Sequence, residues 1–355
     1  MLDYIKQQLE IHPGITPQDV LKMCFQAAFG AEHLLTNIDK AADYFNTEFE
    51  SIQLDNFKPN EEIFEAIAPD VCRVNMAAWK MKMLPKAWLF QLFVESAGSA
   101  EVGGKGDTCF YEYIDAWKQY AKENTIGFTE AELANALENY LTLCGDKLQA
   151  VHHSQRYRDM EKPAYRIVSG WYTRLIPILA NIPLAGGIIA IDGMAASGKT
   201  TIAAALQKIL DAEIIPMDDF FLPKDLRTDA RLKSPGGNIH YERFMEEVVT
   251  NLVTNPIKDI FNYQVFDCSV MNYVGVKTVA PKKWIIVEGT YSHHPYFDKY
   301  MSLKVFSGTS PHIQHQRIRE RNGEKMAEMF ATQWIPMETA YFKKYQIQEA
   351  ADVEV

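Results

Sequence analysis

The segment Gly193-Met194-Ala195-Ala196-Ser197-Gly198-Lys199-Thr200 constrains this chain more than any other. It fits the spacing GxxxxGK[ST] without a mismatch. An unbroken apolar run, Ile188–Ile191, precedes it, and Thr200–Leu210 follows with Ile202, Leu206 and Ile209 at helical spacing. Strand, glycine turn and helix in that order gather backbone N–H groups and a helix N-terminus around one point, which suits a phosphate. By average residue usage the spacing alone would arise by chance in about one chain of this length in a hundred. The alternative is a glycine-rich turn carrying an exposed lysine, and the flanking strand and helix patterns argue against it.

The surrounding sequence supports an α/β P-loop fold in the second half. Apolar runs recur at Glu213–Met217, Trp284–Val287 and Leu303–Phe306, with helical patterns between them. Strands alternating with helices predict a parallel sheet with crossover helices on its faces. At 355 residues the chain exceeds one ordinary core. The loop-like stretch Asn181–Gly187 sets the boundary, giving a mainly α-helical domain over 1–180 and a P-loop domain over 181–355. In the first half Thr16-Pro17-Gln18-Asp19 reads as a helix start, and Gly30 ends that helix. Further helices are expected at Asp39–Phe49, Ala77–Ser96 and Thr129–Leu143, with Gly98–Asp107 as loop.

The P-loop places Gly193, Ala195, Ala196, Ser197, Gly198, Lys199, Thr200 and Thr201 around the phosphates of a nucleotide, taken to be ATP with Mg²⁺. Lys199 reaches the β- and γ-phosphates, and the Thr200 hydroxyl ligates the ion. The second strand ends in Asp218-Asp219-Phe220-Phe221. Strand C-termini line the crevice of an open parallel sheet, so both carboxylates are expected to face the phosphates, one of them as general base. The alternative is a pair that caps a helix. Glu288, at the tip of the third strand, is the second candidate for the metal. Arg317, Arg319 and Arg321 stand at alternate positions and cannot all face one way on a helix. At least one is expected to serve as a catalytic lid that stabilises charge on a transferring phosphoryl group, the alternative for one or two of them being a solvated side chain.

Composition sets limits on the rest. A net charge of −10 disfavours a nucleic-acid partner. No apolar run is long enough to cross a bilayer, and the first residues lack the layout of a signal peptide, so the expectation is a cytoplasmic protein with no membrane partner. Five separated cysteines, none in a CxxC pair, argue against a disulfide framework and a zinc site. Self-association is left open.

Taken together, the P-loop, Asp218-Asp219-Phe220-Phe221, Val287-Glu288-Gly289, the arginine segment and Trp334-Ile335-Pro336-Met337-Glu338 resemble the uridine kinase and phosphoribulokinase family. The resemblance covers about 190–345 and implies phosphoryl transfer from ATP to a hydroxyl of a small metabolite. It makes Asp218 the catalytic aspartate, with Lys199, Arg317 and Arg321 completing the machinery. The acceptor side falls on Asp219, His240, Tyr241 and Arg243, with Phe266 and Asp267 in an echo of a Tyr-Asp pattern at Tyr263–Asp267. Where the family carries a lid Arg-Asp pair this chain has Arg321-Asn322, and Gly237-Asn238-Ile239-His240-Tyr241 stands where an acceptor aspartate is usual. The acceptor is therefore open: a nucleoside, another ribose- or polyol-like compound, or a pantothenate- or sugar-kinase substrate. A nucleotide-dependent switch is the rival from another class.

The first half resembles a bacterial domain of unassigned function found fused to, or separate from, such kinases. Its polar clusters are Glu32-His33, Cys72-Arg73-Val74-Asn75, His152-His153-Ser154 and Tyr165-Arg166. A separate ligand or catalytic site near His33, Arg73 and His153 is expected, against the alternative that these are satisfied structural residues. Arg73 and Arg166 either bind an anion or pair with nearby acids. The histidine spacing supports no metal.

Overall fold

Thr16 begins a helix because its backbone N–H donates to the Asp19 carboxylate (3.1 Å) while Pro17, lacking an N–H, takes the first helical position. In the computed structural model, which describes residues 1–30, 37–54, 62–97, 106–253, 259–297 and 299–355, this helix is the centre of the first of two compact units, Met1–Ile176 and Pro177–Val355. It runs Pro17–Phe29 (α2), after α1 at Leu2–Ile11, and ends at Gly30 with φ +58°. Val20 through Ala28 are buried except Lys22, so α2 is enclosed nearly all round. Asn37 caps α3 (Ile38–Ser51) by accepting from the Lys40 N–H. Thr129 and Glu132 form a second capping box at α7 (Glu130–Cys144), which follows α6 (Gly106–Glu123). Trp117, Phe110, Ile114 and Leu133 from these helices join α2 in one core.

For this unit one feature is added to the expectation and one expected helix is corrected. The unit is mainly helical but also contains an antiparallel sheet in the order β1 (Phe64–Ala68), β2 (Val71–Asn75), β3 (Tyr165–Ser169). Its strands are five residues each, two of them within segments first read as polar clusters. The single helix over Ala77–Ser96 is two, α4 (Met76–Met81) and α5 (Lys86–Ala97). Met83 takes φ +55° and Pro85 follows, which disfavours helical backbone at Leu84. Residues 98–105 and Ala31, Glu32 and His33 lie outside the described residues. A short helix, α8 (Gln155–Glu161), precedes β3.

The second unit is an α/β P-loop fold. After α9 (Leu175–Asn181), which crosses the division, its sheet takes β4 (Gly187–Gly193), β5 (Ala212–Pro216), β8 (Trp284–Glu288), β9 (Leu303–Ser307) and the unforeseen β10 (Val353–Glu354). All pair in parallel in the order β10-β9-β4-β8-β5. The connection from β4 runs toward β5 and that from β8 toward β9, so a crevice opens at their C-terminal ends. The run Glu213–Met217 ends one residue early: Met217 opens a short 3₁₀ turn, Met217–Phe220. α10 (Lys199–Ile209) follows the loop after β4 and buries Ile202, Ala203 and Leu206.

Between β5 and β8 lie three short helices, α11 (Asp229–Lys233), α12 (Tyr241–Phe244) and α13 (Thr250–Val253), and an antiparallel hairpin absent from the expectations, β6 (Phe261–Asp267) with β7 (Asn272–Val279). Phe261, Tyr263 and Phe266 turn inward from β6. α14 (Pro311–Asn322), α15 (Glu324–Met329) and α16 (Ile335–Tyr345) lie between β9 and β10. No helix among the described residues is long and apolar enough to cross a membrane.

Candidate functional site

Gly193 has φ +140°, and a Cβ there would stand 2.1 Å from the Ser307 carbonyl oxygen, so only glycine lets the end of β4 lie against β9. Gly198 takes φ +101°. Ala196 is also left-handed, φ +56°, at a cost on the order of 1 kcal/mol that the loop's other contacts must hold. Gln314 Nε2 donates to the Ala195 carbonyl (3.0 Å) and Arg317 to the Ala196 carbonyl (3.1 Å), so α14 grips the loop from one side. From α16, Glu338 Oε2 accepts from the Ala195 N–H (2.8 Å). Lys199 is buried and folds over the loop, its Nζ donating to the carbonyls of Gly193 (2.9 Å) and Met194 (2.8 Å).

Beneath this loop is Asp192, whose carboxylate is buried completely. It accepts from the backbone N–H groups of Gly193 (2.7 Å), Tyr291 (3.1 Å) and His293 (2.9 Å), and from the Tyr341 hydroxyl (2.8 Å). One side chain thus joins the end of β4, the segment after β8 and α16. Tyr291 holds φ +83°, uncommon for an aromatic residue, and is itself buried. Sequence reasoning assigned no role to Asp192, Tyr291 or Glu338. An acid standing immediately before Gly193 at a buried strand's end was the available signal for the first.

The metal candidates meet. The Thr200 hydroxyl lies 3.2 and 3.3 Å from the two Glu288 carboxylate oxygens. Burial, with the charge of Asp218, raises the Glu288 pKa to about 7, while Lys199 and the Thr200 hydrogen bond pull it down. A hydroxyl and an acid side by side at the helix start suit Mg²⁺, which takes only one or two protein ligands along with phosphate and water oxygens. No group of three or more His, Cys, Asp or Glu among the described residues stands ready for an ion on its own.

The two aspartates do not face the same way, which corrects the expectation that both look toward the phosphates. Asp218 is exposed, with Lys199, Asp219 and Arg321 near enough for their charges to act on it. Burial raises its pKa, Lys199 and Arg321 lower it, and Asp219 adds to the rise. Asp219 turns to the hairpin, accepting from the Tyr263 hydroxyl (2.9 Å) and pairing with Lys277 (3.1 Å).

The remaining acceptor-side residues divide. Arg243 is buried under Phe220, and its guanidinium donates to the carbonyls of Gln264 (2.6 Å) and Asp219 (2.5 Å) and to Glu247 (3.1 Å). Phe266 is buried against Tyr273, and Asp267 accepts from the Ser269 N–H to close the hairpin turn. These three brace the hairpin. His240 carries a buried Nδ1 with no partner among the described residues, and burial, with Arg243, lowers its pKa. Tyr241 stacks on His294 (4.9 Å between centroids) beneath the Arg231 guanidinium. Of the arginines on α14, Arg319 pairs with Glu324 (2.8 Å), whereas Arg317 touches the P-loop and the charge of Arg321 acts on Asp218.

In the first unit Arg73, His153 and Tyr165 do come together, but as a closed network. His153 Nδ1 meets Asp19 (2.9 Å) and its Nε2 meets the Tyr165 hydroxyl (2.6 Å). Arg73 lies over the Tyr165 ring (4.6 Å) and donates to Gln26 (2.8 Å) and Glu65 (3.4 Å). His12 bridges Glu65 (2.9 Å) and Glu161 (3.2 Å). Arg166 is apart, pairing with Glu48 (2.6 Å), and the His152 carbonyl accepts from Gln18. Burial lowers His153 to about 4 despite Asp19. Burial would raise Asp19, but hydrogen bonds from His153, Thr16 and Ser154 hold it well below the carboxylate range.

Comparison with known proteins yields no matching family model and no matching curated protein. Among solved structures, a possible uridine kinase from Bacillus stearothermophilus is 19% identical, with 50% of this chain and 92% of that chain covered at a TM-score of 0.38. A candidate fructose transport system kinase from Silicibacter sp. TM1040 is 21% identical, with 50% and 95% covered at a TM-score of 0.40.

Proposed function

We propose that the unit Pro177–Val355 is an ATP-dependent phosphotransferase acting on a hydroxyl group of a small metabolite. The observation that carries this reading is the convergence of side chains from three strand ends: Lys199 and Thr200 after β4, Asp218 after β5 and Glu288 closing β8. Thr200 touches Glu288, while the charges of Lys199 and Asp218 act on each other and on Glu288.

The N–H groups of the P-loop bind the phosphates, and Lys199 leaves the carbonyls of Gly193 and Met194 to meet them. Thr200 and Glu288 hold the Mg²⁺ ion, whose charge offsets that on the transferring group. Asp218 orients the acceptor hydroxyl and takes its proton, for which a raised pKa near a cationic lysine is suited. Arg317 and Arg321 stabilise the spread negative charge. A nucleoside or another ribose- or polyol-like compound is the acceptor class, and the net charge of −10 suits a small partner better than a nucleic acid. An acid at the end of β5, within reach of the Lys199 charge, favours transfer to a hydroxyl over a switch.

The test is an ADP-release assay of the full chain with Mg-ATP against nucleosides, sugars, polyols and vitamin precursors. One class should stimulate release with stoichiometric phosphorylated product, and Lys199→Ala should lower turnover by at least about a hundredfold. Hydrolysis without any phosphorylated acceptor would replace the kinase with a switch.

A further inference from the structure

Glu338 is an acid where the anion site should repel one. It is 4% exposed, sits on the first turn of α16, and reaches the Ala195 N–H with Oε2. Its other oxygen, Oε1, is buried with no hydrogen-bond partner among the described residues. A buried carboxylate oxygen without a donor is costly when charged, whereas a carboxylic acid hydroxyl left without an acceptor lacks only one bond. The groups that act on it are Lys199 from α10, Asp192 from β4 and Tyr291 from the segment after β8, with the Ala195 N–H directly bound. On α14, Gln314 holds the carbonyl of the same Ala195, and Arg317 that of Ala196. Tyr341, on its own helix, is committed to Asp192.

We propose that Glu338 is a proton-dependent gate on the P-loop, acting beside Lys199, the residue that reaches for the terminal phosphates. When neutral it keeps the loop's Ala195 in place through Oε2 and leaves its buried Oε1 without charge behind the loop. When ionised it holds the Ala195 N–H for itself and sets a negative charge against the incoming anion. The consequence is a preference for triphosphate over diphosphate that weakens as pH rises. This inference rests on the nucleotide-binding reading above.

Burial raises the Glu338 pKa to about 7, with Lys199 and the Ala195 N–H opposing and Asp192 adding. A group titrating there passes from about nine-tenths to about one-tenth protonated between pH 6 and pH 8. Calorimetry of the full chain with Mg-ADP and with the Mg complex of a non-hydrolysable triphosphate analogue, at both pH values, measures the effect. In the unsubstituted protein the triphosphate-to-diphosphate affinity ratio should fall about tenfold from pH 6 to pH 8. In Glu338→Gln, whose amide is neutral at both, that fall should be at least about threefold smaller, what is left belonging to Glu288, which also titrates at about 7. The nucleotide's own ionisation is common to both proteins and cancels.

Equal pH profiles in the two proteins would overturn the gate while leaving the P-loop reading intact. Failure of the unsubstituted protein to bind any nucleotide would overturn both. Should Glu338→Gln misfold, infrared spectroscopy of the unsubstituted protein decides instead. A protonated-carboxyl band that shifts with the triphosphate analogue and not with ADP supports the gate, and a band unmoved by both overturns it.

Discussion

Asp218 and Asp219 adjoin in sequence but serve different neighbours. Asp218 answers to Lys199 and Arg321, and Asp219 to Tyr263 and Lys277. Asp218→Asn should therefore lower kcat by at least about a hundredfold with the melting temperature unchanged, because the lost group acts on the acceptor's proton. Asp219→Asn should leave kcat within a few-fold. It gives up a partly exposed ion pair and weakens one hydrogen bond, worth about 1 kcal/mol, and should lower the melting temperature by about 3 °C. Steady-state kinetics beside thermal denaturation checks both, and the reverse ranking would exchange their roles. The P-loop glycines, Lys199 and Thr200 were readable because local backbone geometry and one fixed spacing dictate them. Asp192 and Glu338 were not, because their partners lie 99 to 149 residues away in the chain for Tyr291, Tyr341 and Ala195. The divergence of the two aspartates depends in the same way on a hairpin tens of residues downstream.

At the scale of elements, what was readable had a cap or a sustained period. α2, α3 and α7 emerged near their expected bounds because Thr16, Asn37 and Thr129 satisfy the first N–H groups of each. The β1-β2-β3 sheet and the β6-β7 hairpin escaped because five-residue strands give little period, and β7 is exposed along nearly its whole length. The Asp19 network shows elements being joined: one carboxylate closes the capping box of α2 and also accepts from the Ser154 N–H and hydroxyl at the start of α8. His153 supports it in the neutral form. A histidine held at about 4 when folded and near 6.5 when unfolded contributes stability that is lost as pH falls through that window. The loss is at most about 3 kcal/mol. His12, which burial would lower but Glu65 and Glu161 raise, acts with the opposite sign. In urea denaturation of the full chain at pH 7 and pH 5, the unsubstituted protein should lose more stability, or gain less, at pH 5 than His153→Gln does. The comparison is between the two proteins because Glu288, Glu338 and His12 act with the opposite sign in both. Parallel slopes for the two proteins would mean that His153 does not titrate in this window.

For the whole molecule, the question is whether the first unit serves the P-loop site or something of its own. Each unit has its own core, one built around α2 with Trp117 and Phe110, the other around β4, β8 and the hairpin with Phe220 and Phe244. The P-loop, Asp218, Glu288 and the arginines of α14 all come from the second unit. Arg73, His153 and Tyr165 in the first are spent on one another and on Asp19, Gln26 and Glu65, so none is left waiting for a phosphate. A fragment 175–355, which keeps all of α9 with its buried Leu175, Ile176, Ile178 and Leu179, should therefore fold cooperatively. It should bind a Mg-ATP analogue within a few-fold of the full chain, as read by calorimetry after circular dichroism has shown it folded. Its phosphorylation of the acceptor found for the full chain should be equally retained. A fragment that is folded yet inert, and that regains activity when residues 1–174 are added back, would make the first unit part of the kinase site rather than its neighbour.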